Sequence, residues 1–124
     1  MNVKIDTKEK FHVLTPMETM LSENMTAEIS QLLLSCREKE VKNVILNLSQ
    51  VTNIEEQVAQ TILNSQQEFY DLEVSFVICE IKSEVEEYLD KIEILDLLNY
   101  TPTESEAWDI VQMEEIEREL FEDE

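Results

Sequence analysis

Val44-Ile45-Leu46-Asn47-Leu48-Ser49-Gln50-Val51-Thr52-Asn53-Ile54 opens as a nearly continuous apolar run and closes as a polar loop. An apolar run of this length, with almost no alternation, predicts a central strand covered on both faces. A helical pattern follows from about Glu55, with Val58, Ala59, Ile62, Leu63, Phe69 and Tyr70 on its apolar face. Val74-Ser75-Phe76-Val77-Ile78-Cys79 is a second buried strand by the same reasoning. Strands alternating with helices imply a mostly parallel or mixed sheet with helical cover and right-handed crossovers.

Working outward, Val3 and Ile5 alternate with Lys4 and Asp6, and a second extended run from Phe11 stops before Pro16. A turn at Thr7-Lys8-Glu9-Lys10 joins them as a hairpin, of a type left open by the lack of glycine. Met17 to Asn24 reads as a loop. Met25, Ile29, Leu32, Leu33 and Cys36 then mark one face of a helix, with Ser22, Asn24 or Thr26 available as its cap and Arg37-Glu38-Lys39-Glu40 as its end. Ser83 and Glu86 have capping-box spacing ahead of a short helix through Val85 and Leu89. Thr101 as N-cap, Pro102 at the first helical position and Glu104 predict the start of the last helix. That helix becomes strongly acidic over residues 112–124 and lacks cations to match its dipole, so its end is expected to fray. The predicted order is β-β-α-β-α-β-α-α.

Composition narrows the function. With 124 residues, the chain is read as one domain, 1–124, with 43% hydrophobic residues to build a core. A net charge of -20 argues against nucleic acid and anionic membranes as partners and favours basic protein surfaces. No apolar run approaches the roughly 18 residues of a membrane helix, and the first residues lack a secretory h-region, so a cytoplasmic location is expected. Glycine is absent. Phosphate-binding loops, dinucleotide fingerprints and nucleophile elbows all need it. Cys36 and Cys79 sit in apolar contexts and read as core residues, with neither a disulfide nor a metal expected. His12, the single histidine, reads as structural.

From Phe11 to Val111 the pattern resembles the STAS domain, the fold of bacterial anti-sigma-factor antagonists. The resemblance is carried by residues 44–54, by Ser83 to Leu89 with Ile94-Leu95-Asp96-Leu97-Leu98, and by Tyr100-Thr101-Pro102-Thr103-Glu104-Ser105-Glu106-Ala107. It implies an α/β fold with a four- to five-stranded mixed sheet and about four helices packed on it. It also implies a non-enzymatic module of transcription regulation, one that binds an anti-sigma-factor kinase until phosphorylation of a hydroxyl blocks the contact. The functional motif departs from the family's Asp-Ser-Ser/Thr-Gly. Glu55 stands at the Asp position, Glu56 at the phosphorylated position, Gln57 at the next hydroxyl and Val58 at the Gly.

Three readings of this site stay open. Asn53 and Glu56 have capping-box spacing, and carboxylates in a first turn complement the helix dipole. Glu56 can instead be a fixed, weaker copy of a phosphate, as a degenerate phosphosite. Or the segment is a partner surface unrelated to phosphorylation. Ser49, Thr52, Thr61 and Ser65 are nearby hydroxyls without the expected position. Adjacent Glu55 and Glu56 point about 100° apart on a helix and do not converge for acid–base or metal chemistry. The expected function is therefore a regulatory protein-binding module using Asn53, Glu55, Glu56 and Gln57. It has no cofactor, and its partner is an anti-sigma-factor kinase or another STAS protein. A homo-oligomer is allowed. The alternatives are a small-molecule-binding STAS-type domain and a self-associating structural protein, the latter through Leu120 and Phe121.

Overall fold

The computed structural model describes residues 1–122, with side chains through 120. Its main sheet has five strands in the order β1 (Val3–Thr7), β2 (Phe11–Pro16), β4 (Asn43–Asn47), β6 (Phe76–Cys79) and β7 (Tyr100–Thr101). β1 is antiparallel to β2, as the hairpin reading requires, and every other neighbour pair is parallel. Three α-helices lie between strands, α1 (Thr26–Arg37), α2 (Glu56–Asp71) and α3 (Ser83–Lys91), and a fourth, α4 (Glu104–Glu122), follows β7. This is the expected α/β mixed sheet with its helical cover.

The period of two along each strand divides the buried residues between two cores. Leu14, Val44, Leu46, Phe76 and Ile78 face α1, α2 and α3. Phe11, Val13, Ile45, Val77 and Cys79 face α4 through Ala107 and Val111. Both faces being covered explains why β4 and β6 read as unbroken apolar runs. Each fully buried Val, Leu, Ile or Phe contributes about 1.5–3 kcal/mol relative to exposure. His12 is buried as well, with Nδ1 against the Thr7 hydroxyl at 2.8 Å and Nε2 against the Val41 carbonyl at 2.7 Å. It ties the hairpin to the approach of β4.

Several local expectations are corrected. The segment read as a loop contains β3 (Met20–Leu21), which pairs in parallel with β5 (Asn53–Ile54) as a second small sheet. Tyr70 is 76% exposed and leaves the apolar face of α2 to Val58, Ala59, Ile62 and Phe69. Ser83 is the first residue of α3 rather than its cap; Lys82 holds the N-cap position and no side-chain cap bond forms. None of Ser22, Asn24 and Thr26 caps α1, whose N-cap is Met25. Thr101 belongs to β7, so the start of α4 moves two residues on. There Thr103 Oγ1 accepts from the Glu106 N–H at 3.2 Å. Tyr100 and Thr101 instead pair with Ile78 and Cys79 at the edge of the sheet. Leu120, one of the two residues of the self-association reading, is 64% exposed; the side chain of the other, Phe121, lies outside the described residues. The fraying expected at the acidic end falls partly on Asp123 and Glu124, also outside them.

Candidate functional site

The site is assembled by the small β3–β5 sheet. The Thr52 and Asn53 amides both donate to the Thr19 carbonyl, at 2.8 and 3.1 Å, and the Glu55 amide donates to the Leu21 carbonyl at 3.0 Å. These bonds bring the segment ahead of α1 against the first turn of α2. A short 3-10 turn at Glu23–Met25 follows β3 on the same surface.

The capping box predicted between Asn53 and Glu56 does not form. Asn53 is committed to the β5 ladder, and the N-cap of α2 is Glu55, in extended conformation with φ -84° and ψ 152°. The Glu55 carbonyl accepts from the Val58 and Ala59 amides at 3.0 and 3.1 Å. Its carboxylate turns away from the helix and accepts from the Glu23 amide at 2.8 Å. Glu55 therefore braces the 3-10 turn against α2. Val58 is fully buried in the core.

Glu56, Gln57 and Asn53 are exposed, and their side chains make no hydrogen bond or ion pair among the described residues. All four predicted residues line one open cleft of about 730 Å³, together with Met20, Glu23 and Tyr88. Among the described residues no Lys or Arg lines it. The sequence reading missed Met20, Glu23 and Tyr88, which come from two other parts of the chain, the segment ahead of α1 and helix α3. Exposure of a large apolar residue, as at Met20, has no local sequence signal. Carboxylates from Glu23, Glu55 and Glu56 give the cleft negative charge without a converging pair. Among the described residues no cluster of His, Cys, Asp and Glu is arranged to hold a metal ion.

A second polar cluster lies at the end of β4. Asn47 Nδ2 donates to the Glu104 carboxylate at 2.9 Å, and Asn47 Oδ1 accepts from the Ser49 amide at 2.9 Å. The other Glu104 oxygen accepts from Trp108 Nε1 at 3.2 Å, and the Glu80 carboxylate accepts from the Glu104 amide at 2.7 Å. Glu80 stands in the left-handed region, with φ 57°. Burial, with Glu104 and Glu80 adding to it, pushes the neighbouring Cys79 thiol up to about 12. A thiol so held is protonated at neutral pH and is a poor nucleophile. Burial raises Cys36 as well. Both cysteines are buried and unpaired with each other, as expected of core residues.

The STAS domain model matches residues 2–107, which include every strand of the sheet and the first three helices. The chain belongs to the STAS domain family. Solved STAS structures share its fold at low identity. A candidate anti-sigma-factor antagonist from Thermotoga maritima is 17% identical, with a TM-score of 0.74 over 89% of this chain and 94% of that one. The Moorella thermoacetica protein RsbS, in a serine-to-glutamate variant, is 18% identical, with a TM-score of 0.74 over 90% and 96%. The anti-sigma-factor antagonist SpoIIAA, unphosphorylated, is 13% identical, with a TM-score of 0.71 over 90% and 96%. No curated protein matches the sequence. No helix of this STAS domain, among the described residues, is long and apolar enough to cross a membrane.

Proposed function

We propose that this STAS domain is a non-enzymatic regulatory module of the cytoplasm. In this reading it docks a protein partner through the cleft at the start of α2, independently of phosphorylation there. The observation that carries the reading is the division of labour in the first turn. Glu55 is occupied in bracing the fold, while Asn53, Glu56 and Gln57 present free polar side chains beside exposed Met20 and half-buried Tyr88. Apolar area flanked by unpaired polar groups is what a protein interface uses. Neither Glu56 nor Gln57 offers a hydroxyl to a kinase.

The partner surface that fits is basic, because the cleft holds carboxylates and no cation, on a chain of net charge -20. A small anionic ligand fits poorly for the same reason. An anti-sigma-factor-type kinase or a second STAS protein with a basic face is the partner class this favours. A fixed carboxylate at position 56 carries less charge than a phosphate and fewer acceptor oxygens, so it supports a constant rather than a switched state. Partner capture by wild-type chain and by Glu56→Lys tests the site: loss of partners from the variant is expected, and identical partner sets would remove it. Incubation of Glu56→Ser with the captured kinase tests descent from a phosphorylated switch; modification of the variant but not of wild type is expected.

A further inference from the structure

On the outer side of α4, Met113, Ile116 and Leu120 are 58%, 57% and 64% exposed. Spacings of three and four residues place them on one stripe, about 10 Å long along the helix axis. The inner side of the helix is already used. Ala107 and Val111 pack in the core, while Glu114 and Glu115 accept from the Ser75 hydroxyl at 2.6 Å and Asn43 Nδ2 at 2.8 Å. The stripe is thus surplus to holding α4 on the sheet. It also lies wholly past Ala107, where the match to the family model ends.

Exposed Glu117 and Glu119 flank the stripe, exposed Asp109 stands one turn ahead of Met113 in line with it, and the last turn of α4 carries no basic residue. Carboxylates at a helix C-terminus oppose the helix dipole, so they raise the negative potential beside this stripe. A second copy of the chain is the wrong occupant: two molecules of net charge -20 would meet carboxylate to carboxylate. A cationic occupant relieves that repulsion as it covers the apolar side chains.

We propose that this stripe docks a basic amphipathic helix of another protein. Its apolar face would lie on Met113, Ile116 and Leu120, and its Lys or Arg side chains would meet Asp109, Glu117 and Glu119. Pairing of apolar anchors at helical spacing with complementary flanking charge is the helix-in-groove and coiled-coil mode of recognition. The surface is distinct from the cleft, since α2 and α4 cover opposite faces of the sheet.

The test uses the full chain and two fluorescently labelled Lys/Leu peptides of identical composition. One has its leucines on a single helical stripe, and the other has them scattered around the helix. Anisotropy titration is expected to show the striped peptide binding about tenfold tighter. The double variant Ile116→Gln/Leu120→Gln, with an unchanged melting temperature, is expected to abolish that preference; if this variant is destabilised, Met113→Gln serves in its place. Equal binding of the two peptides would overturn the proposal, as would an intact preference in the folded variants. So would concentration-dependent dimerisation of wild type that the variants remove.

Discussion

Glu55 and Glu56 are neighbours of identical chemistry with different work. The Glu55 carboxylate holds the Glu23 amide at 2.8 Å, a charge-assisted bond between two segments far apart in sequence. Glu56 faces solvent. Glu55→Ala is therefore expected to cost about 1–2 kcal/mol in urea unfolding, and Glu56→Ala to stay within about 0.5 kcal/mol. The sequence showed that both acids sit at a helix start. It did not separate them, because the amide that claims Glu55 arrives through β3, which has no pattern of its own. Cys79 gives a second residue-level expectation. Its thiol ionises near 9.0 when unfolded and at about 12 when folded. Above pH 9 the unfolded chain loses this proton while the folded one keeps it, so stability falls as pH rises toward 12. Comparing wild type with Cys79→Ala across that range isolates the effect: the wild type should lose stability more steeply. Cys79 should also resist alkylation in the folded state at pH 8.

At the scale of elements, a chain without glycine still has to end its helices. α2 and α3 each close with a glutamate in the left-handed region, Glu73 at φ 59° and Glu93 at φ 63°. Both ends have the paired bonds of a Schellman motif. The Val74 amide reaches the Phe69 carbonyl at 2.9 Å and Glu73 reaches Tyr70 at 3.0 Å; Ile94 reaches Leu89 at 2.9 Å and Glu93 reaches Asp90 at 3.0 Å. A side chain in that region costs roughly 1–2 kcal/mol, and a carboxylate there also opposes the helix dipole. Glu73→Gly and Glu93→Gly are each expected to raise stability by about 1 kcal/mol in thermal or urea unfolding. Glu80→Gly should not, because it gives up the bond to the Glu104 amide. The long elements were legible from periodicity, since β4, β6, α1 and α2 bury most of what their patterns predicted, with Tyr70 the clear exception. Caps were not, because capping-box spacing at Asn53/Glu56 and Ser83/Glu86 competes with backbone pairing and chain entry that local sequence does not record.

For the molecule as a whole, the two faces of the sheet are held differently. Three helices cover one face with a broad apolar core, and α4 covers the other with a smaller one. Polar anchors at the two ends of β4 supplement that smaller core. Asn47 holds Glu104 at one end. At the other, Asn43 Nδ2 donates to the Lys10 carbonyl at 2.9 Å and to Glu115 at 2.8 Å, while its Oδ1 accepts from the Ser75 amide at 2.9 Å. Asn43→Ala should therefore cost about 2–3 kcal/mol by leaving buried groups without partners, measured by urea unfolding. The same architecture delivers β3, β5 and the start of α2 to one acidic cleft, which is the surface assigned to the partner. Partner capture by wild type, Glu56→Lys and Glu40→Lys decides that assignment, because Glu40 is also an exposed carboxylate, in the loop ahead of β4. The cleft account predicts that Glu56→Lys loses the partner and Glu40→Lys retains it. Retention by both variants, or loss from both alike, would contradict it.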